Sequence, residues 1–349
     1  MIAFPSIEQY RHVIATVKHQ ATYVGRDDQD RPVYDDTQPL PVLTFQGTTK
    51  LHGSNTAVVF HPESDDVTFQ SRSRQIAVGD DFMGFAAHMT THRASLDAIR
   101  RAVVAVVDPA TATSATLAVF GEWCGGPIQR GVALAELPKM FVVFAVRVGD
   151  DQWLDLSLVR DTIEFPDARI FHIHRFGTWT IEIDFTSPED AQVELERITT
   201  AVEAECPAGK HFGVSGIGEG VVWKCVTDPS SRFWFKVKGR EHESGGGAAK
   251  TAKKSNAASV NPEQVASLQA FVDHVVSEGR LYQGLSVLNE RGIERTVKAT
   301  GEFVKWIQQD VLKEDADTMA ANAFETKHVM APIARKASDW FQRVVRGGP

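Results

Sequence analysis

The segment LTFQGTTKLHGSNTAVVF, residues 43–60, governs how the rest of the chain is read. Two short runs with strand character, Leu43 to Leu51 and Asn55 to Phe60, flank His52-Gly53-Ser54 at a turn. Lys50 sits at the end of the first run, next to the glycine turn. That placement holds its ammonium at a sheet edge, facing a pocket. A lysine used as a nucleophile must lose its proton. Its reference pKa of about 10.4 prevents this at neutral pH unless burial or nearby cations lower it.

Candidate cations lie far along the chain. Lys236 and Lys238 are two residues apart in an apolar run, so on a strand they share a face. Such a pair is expected to favour an unprotonated Lys50 and to neutralise a triphosphate. Three further stretches carry suitable chemistry. Phe120-Gly121-Glu122-Trp123 ends a strand at a glycine turn, where the Glu122 carboxylate can take a ribose hydroxyl. Phe141 to Phe144 offers an aromatic wall for a purine. Glu219 begins Glu219-Gly220-Val221-Val222-Trp223-Lys224, where a carboxylate can hold magnesium, an ion that prefers oxygen ligands.

Around these motifs the first two-thirds of the chain reads as α+β, with mostly antiparallel strands. Asp66 to Arg72, Thr116 to Trp123 and Phe141 to Val148 are expected strands. Val221 to Val226 and Phe233 to Val237 form a closing pair joined by a turn at Asp228 to Ser231. Phe82 to Val107 reads as helix, with Met89, Leu96, Ile99 and Val103 on one face. Arg72 and Arg74 fall on one strand face by this reading. Strand pairs and helices without regular βαβ alternation exclude a doubly wound sheet. Residues 244–259 contain no large apolar side chain and read as a flexible basic linker with Lys250, Lys253 and Lys254. From about residue 260 the pattern becomes helical. Asn261-Pro262-Glu263 is a start signal, followed by Val265, Leu268, Val272 and Val275 at helical spacing. Phe303, Ile307 and Val311, then Trp340, Phe341 and Val344, mark later helices. The expected division is 1–243, a linker 244–259, and a helical domain 260–349.

The chain has 349 residues, enough for one large domain and a smaller one. Its net charge of −8 argues against a basic nucleic-acid-binding protein. The charge is uneven: from Ser244 onward 14 Lys and Arg stand against 12 Asp and Glu, so the first 243 residues carry −10. Any nucleic-acid site is therefore a local basic groove. No apolar stretch is long enough to span a membrane, and the N-terminus lacks the pattern of a secretion signal. Three scattered cysteines fit a reducing cytoplasm, the expected location.

The motifs together resemble the RNA ligase 2 family of covalent nucleotidyltransferases, which includes phage nick-sealing RNA ligases and kinetoplastid RNA-editing ligases. Lys50-Leu51-His52-Gly53-Ser54-Asn55 looks like that family's K-x-H-G-[ST]-N motif. Ser71-Arg72-Ser73, Phe120-Gly121-Glu122, Phe141 to Phe144, Glu219 to Lys224 and Lys236-Val237-Lys238 follow in family order. The helical tail is similar to the family's C-terminal domain. The resemblance implies an ATP-grasp-like ligase domain of antiparallel sheets and helices, followed by a small all-α domain. It implies ATP as AMP donor, Mg2+ or Mn2+, and a nicked RNA duplex as substrate of a monomeric enzyme. Lys50 would form the AMP adduct and His52 would orient the leaving pyrophosphate. Asn55 would belong to the nucleotide site, Arg72 would contact phosphate, Glu122 would bind ribose and Phe144 would stack on adenine. Glu219 would organise the metal, and Lys224, Lys236 and Lys238 would contact phosphates. Gln129 would touch the ribose or a turn backbone. Two other readings stay open: a DNA ligase or capping-type enzyme, and a catalytically silent RNA-binding homologue.

Overall fold

The computed structural model describes residues 1–62, 64, 66–129, 131–150, 152–239, 262–316, 319 and 324–347. The expected linker 244–259, with Lys250, Lys253 and Lys254, and the helix-start residue Asn261 lie outside the described residues. The chain separates into two compact units, one within Met1–Gly239 and one within Arg240–Pro349.

The first unit begins with β1 (Glu8–Gln9), α1 (Tyr10–Thr22) and a small hairpin of β2 (Tyr23–Arg26) and β3 (Pro32–Tyr34). Strands β4 (Val42–Lys50), β5 (Ser54–Phe60), β6 (Val67–Ser71) and β7 (Gln75–Ile76) come next. Helices α2 (Phe85–Thr91), α3 (Arg93–Val104) and α4 (Pro109–Ser114) precede β8 (Leu117–Cys124), β9 (Met140–Val148), β10 (Gln152–Trp153), β11 (Ile170–His172) and β12 (Thr178–Asp184). Helices α5 (Gln192–Ala204) and α6 (Pro207–His211) lead to β13 (Gly220–Cys225) and β14 (Phe235–Lys238).

These strands build two large sheets. One has the order β1-β14-β13-β4-β12; the other runs β10-β9-β8-β5-β6-β7, with β11 beside β9. Pairing is antiparallel except for β1 with β14 and β11 with β9. The architecture is therefore the expected α+β one, rich in antiparallel pairs. The two strands flanking His52-Gly53-Ser54 do not pair with each other. β4 lies in the first sheet and β5 in the second, so the chain crosses between sheets at Leu51-His52-Gly53.

Alternation decides which face of the first sheet is buried. Phe45, Val221, Trp223, Cys225 and Phe235 point one way and form a core with Val13 and Val17 of α1 and Leu195, Ile198 and Val202 of α5. The opposite face carries Gln46, Thr48, Lys50, Lys224, Lys236 and Lys238 and turns toward the second sheet. Between the sheets, Trp234 packs with Ala57, Val59, Ala118, Phe120 and Ala145. The far face of the second sheet is covered by helices, with Val58, Phe60, Leu117 and Val119 against Phe85, Met89, Leu96, Ile99 and Val103.

The single helix expected over residues 82–107 is broken. α2 ends and α3 begins at His92, whose φ of −105° and ψ of 37° are not helical. Thr90 and Thr91 return their hydroxyls to the carbonyls of Ala86 and Ala87, a back-bonding pattern that bends helices. The apolar stripe survives the break because both helices pack on the same sheet.

The second unit contains α7 (Pro262–Val275), α8 (Glu278–Glu290), α9 (Thr300–Glu314) and α10 (Thr326–Val345). Val272, Val275, Leu285, Phe303, Ile307, Val311, Ile333 and Phe341 form its core. Arg280 is fully buried there. Its guanidinium meets Asp310 at 2.8 Å and Asp315 at 2.9 Å and donates to the Val275 carbonyl. Burial, opposed by Arg280, pushes the Asp315 carboxyl up to about 6.

Candidate active site

Strand register assembles the polar centre. Gly220 of β13 lies opposite Lys50 of β4 on one side and Lys238 of β14 on the other. Residues 170 and more apart in sequence thus share one row of the sheet, and Glu219 stands at the head of the middle strand. Gly220 adopts φ +146°, and a Cβ there would run into the Val237 carbonyl, so only glycine suits this position. The Glu219 carboxylate is buried. One oxygen accepts from Lys50 Nζ at 2.7 Å and His52 Nδ1 at 3.0 Å; the other accepts from Lys238 Nζ at 3.2 Å. Burial alone would raise the Glu219 pKa. Lys50, Lys238 and His52 outweigh it and hold the carboxyl well below the usual range. The lysine pair therefore does not act on Lys50 by itself, as the sequence suggests; an anion is interposed between Lys50 and Lys238.

The second sheet supplies the opposite wall. At the crossing, Gly53 passes so close to the Trp123 carbonyl and Cys124 that any side chain would collide. Gln129 donates from Nε2 to the Gly53 carbonyl at 3.4 Å, so its contact here is with the turn backbone. Asn55 pairs with Glu122 across β5 and β8. Both alternate in phase with Ala57 and Phe120, which line the space between the sheets. On β9 the register slips between Phe120–Ala145 and Gly121–Val143, leaving Phe144 as the extra residue of a bulge. Its ring meets Phe4 edge-on at 5.2 Å.

Not every expected site residue joins this centre. Strand β6 ends at Ser71, so Arg72 and Arg74 share no strand face; they lie in the turn before β7. Arg74 is engaged with Asp80 at 2.6 Å, while Arg72 is exposed. Lys236 lies one step along β14, opposite Val222 and beside Gln9. Lys224 lies farther down the face: its Nζ donates to the Phe144 carbonyl at 2.6 Å and sits 4.3 Å from the Trp234 ring centre. Burial pushes its pKa down to about 7.

A cavity of about 120 Å³ extends from Thr48 and Gln46 to Lys224, walled by Phe144, Trp153, Trp234 and His174. Thr48 and Gln46 follow Lys50 at alternate positions of β4, so the cavity and the polar centre occupy one face. The alternation in residues 43–50 carried a signal for Gln46 and Thr48. Nothing local marked Phe4, Trp153, His174 or Trp234, which reach the cavity region only through tertiary packing. Among the described residues no three His, Cys, Asp or Glu side chains form a metal site. Glu219 is the carboxylate available at the polar centre, which suits magnesium held by one protein oxygen together with substrate phosphates and waters.

The sequence model of the RNA ligase family matches residues 43–238, a span that contains Lys50, Glu219 and Lys238 and ends before the helical unit. No curated protein matches the sequence significantly. Solved structures of Naegleria gruberi RNA ligase are among those to which the chain is similar. One variant with ATP and Mn has 15% identity and TM-score 0.42 over 68% of this chain and 56% of that one. A second variant with ATP and Mn has 15% identity and TM-score 0.44 over 69% and 57%. The pyrophosphate complex has 16% identity and TM-score 0.42 over 68% and 56%. The chain thus spans little more than half the length of the ligases it matches.

Proposed function

Because this chain belongs to the RNA ligase family, we propose that it is an ATP-dependent RNA ligase that joins a 3′-hydroxyl to a 5′-phosphate, with Lys50 as the adenylylated residue. The observation that carries this reading is the Glu219 carboxylate joined to Lys50, His52 and Lys238 beside a cavity walled by aromatic rings. In the first step the neutral Lys50 amine attacks the α-phosphorus of ATP. A P–N bond forms, the bond to the bridging oxygen breaks, pyrophosphate leaves, and the nitrogen gives up a proton to solvent. In the second step a 5′-phosphate oxygen of RNA displaces the lysine and takes the AMP. In the third, the 3′-hydroxyl attacks that phosphate, loses its proton and releases AMP. Phosphoryl transfers of this kind depend mainly on positioning and charge neutralisation. Lys238 and Lys236 supply fixed positive charge, His52 bears on the leaving pyrophosphate, and Lys224 lies at the nucleoside end of the cleft. Glu219 would hold magnesium or manganese, which when bound would supply further neutralisation of the transferring group. Asn55 and Glu122 face the ribose, Phe144 stacks on the base, and the exposed Arg72 is free to meet a phosphate.

The substrate we favour is a nick in duplex RNA. We assign 1–243 to adenylyl transfer, 244–259 to a linker and 260–349 to gripping the nucleic acid. The test is incubation of the purified chain with labelled ATP and magnesium. A covalent adduct lost in Lys50→Ala supports the reading; its absence in the wild type refutes it. Labelling by GTP but not ATP would point to a capping-type enzyme. Sealing assays on nicked duplexes of defined RNA and DNA strands then fix the substrate.

A further inference from the structure

Two buried histidines, His172 and His174, lie at the end of β11 and in the turn that follows. His172 is fully accounted for by the fold. Its Nδ1 accepts from the His174 backbone N–H at 3.1 Å and its Nε2 donates to the Leu156 carbonyl at 3.0 Å. His174 is different. It is 7% exposed, yet its imidazole makes no hydrogen bond among the described residues, and it lines the cavity beside Phe144, Trp234 and Lys224. Buried polar groups are rarely left unpaired, and a group with no protein partner facing a cavity awaits one from a ligand or water. Phe144, Trp153 and Trp234 set flat aromatic rings among the aliphatic and polar residues of the cavity wall, and such rings suit a planar heterocycle. The cavity starts at Thr48, two residues along β4 from Lys50, about 7 Å at a rise of roughly 3.4 Å per residue. That spacing lets a nucleoside reach it from a phosphate held at Lys50.

We propose that His174 reads the nucleobase of the incoming nucleotide, its acceptor nitrogen taking the 6-amino N–H of adenine. This inference rests on the adenylyl-transfer reading. Burial and the Lys224 charge push the His174 pKa down to about 4, so at neutral pH the ring is uncharged and carries one acceptor and one donor nitrogen. The neighbouring Lys224 offers only donors when protonated, and Asp155, which also lines the cavity, is exposed and already accepts from the Ser157 N–H at 2.9 Å, so His174 is the buried acceptor on that side.

The experiment compares ATP with purine riboside triphosphate, which lacks the 6-amino group, in wild type, His174→Leu and His174→Gln. Adduct formation gives KM and kcat, and calorimetric titration of the full chain with magnesium gives binding directly. Expected is a KM for ATP roughly tenfold to a hundredfold higher in His174→Leu, with kcat little changed. His174→Leu should also bind the two nucleotides alike, whereas the wild type prefers ATP. His174→Gln, which keeps an acceptor, should recover part of the preference and guards against a loss due to misfolding. Equal binding of the two nucleotides by wild type, or equal weakening of both by His174→Leu, overturns the inference. If the wild type binds ATP with this His174 dependence but forms no adduct, the adenylyl-transfer reading falls and the base contact stands.

Discussion

Glu219 is the residue on which the polar centre depends, because three cationic partners converge on one buried carboxylate. Replacing it with Gln keeps the shape and removes the charge. Lys50 and Lys238 would then face each other across a neutral amide, and the metal proposed to bind there would lose its carboxylate. Adduct formation by Glu219→Gln should fall by about 10²–10³ at saturating ATP, the scale on which loss of one preorganised electrostatic contact at a reacting centre slows an enzyme. Labelling time courses would show this, and a rate within threefold of wild type would contradict it. The distal lysines are separable by the same geometry. Lys238 touches Glu219 directly, whereas Lys236 is paired one step away, opposite Val222. Lys238→Ala should therefore slow adenylylation more than Lys236→Ala, and the double variant should slow it most. Equal single-variant rates would show that the row shared by Lys50, Gly220 and Lys238 does not set their roles. Lys50, Glu219 and the lysine pair could be picked out from sequence by motif order. That Glu219 lies between the lysines could not, since it depends on the register of three strands.

At the scale of elements, β13 is the organising strand. Its one face feeds the core through Val221, Trp223 and Cys225, and its other presents Lys224 to the cleft. Lys224 has a consequence for stability. Its folded-state pKa of about 7 lies below the ordinary 10.5, so the unfolded chain binds the extra proton between those values. The folded state is therefore penalised at and below pH 7, and the penalty is relieved as pH rises toward 10.5. Denaturant melts of wild type and Lys224→Met at pH 7 and pH 9 test this. Wild-type stability relative to the variant should increase at the higher pH; a constant difference would mean the ammonium is not desolvated. The strands of β13 and β14 could be anticipated from alternation and the turn at 228–231. β12 was not anticipated, although Thr178 to Asp184 alternates cleanly, and the break at His92 was hidden because both helices keep one apolar stripe.

For the molecule as a whole, the two units rest on different physics. The first buries apolar strand faces on both sides of a polar cleft. The second is a helical core with an ion cluster in its middle. Arg280→Met would leave Asp310 and Asp315 partly or fully buried without their cation, a change that typically costs about 3–5 kcal/mol. Thermal unfolding of the full chain should then show a transition assignable to the helical unit at lower temperature, with ATP labelling at low temperature retained. An unchanged melt would mean the cluster is already compensated by other contacts. The family match ends at Lys238, before the helical unit, and sealing of nicks by the full chain is the measurement that tests the grip on nucleic acid proposed for that unit.

The sequence by itself pointed to the RNA ligase family and to the candidate site residues. The ordered motifs, the α+β alternation and the helical periodicity after residue 260 are local patterns, and local patterns survive without knowledge of partners. Tertiary structure alone decided that residues 50 and 60 belong to different sheets, that Arg74 is spent on Asp80, and that Lys224 belongs to the aromatic end of the cleft. It also placed His174 at a cavity, its ring packed on His172 and making no hydrogen bond among the described residues. The physical reason is common to all four. Each depends on sheet pairing or turn geometry, and neither composition nor spacing encodes a register or a turn conformation until the chain has folded.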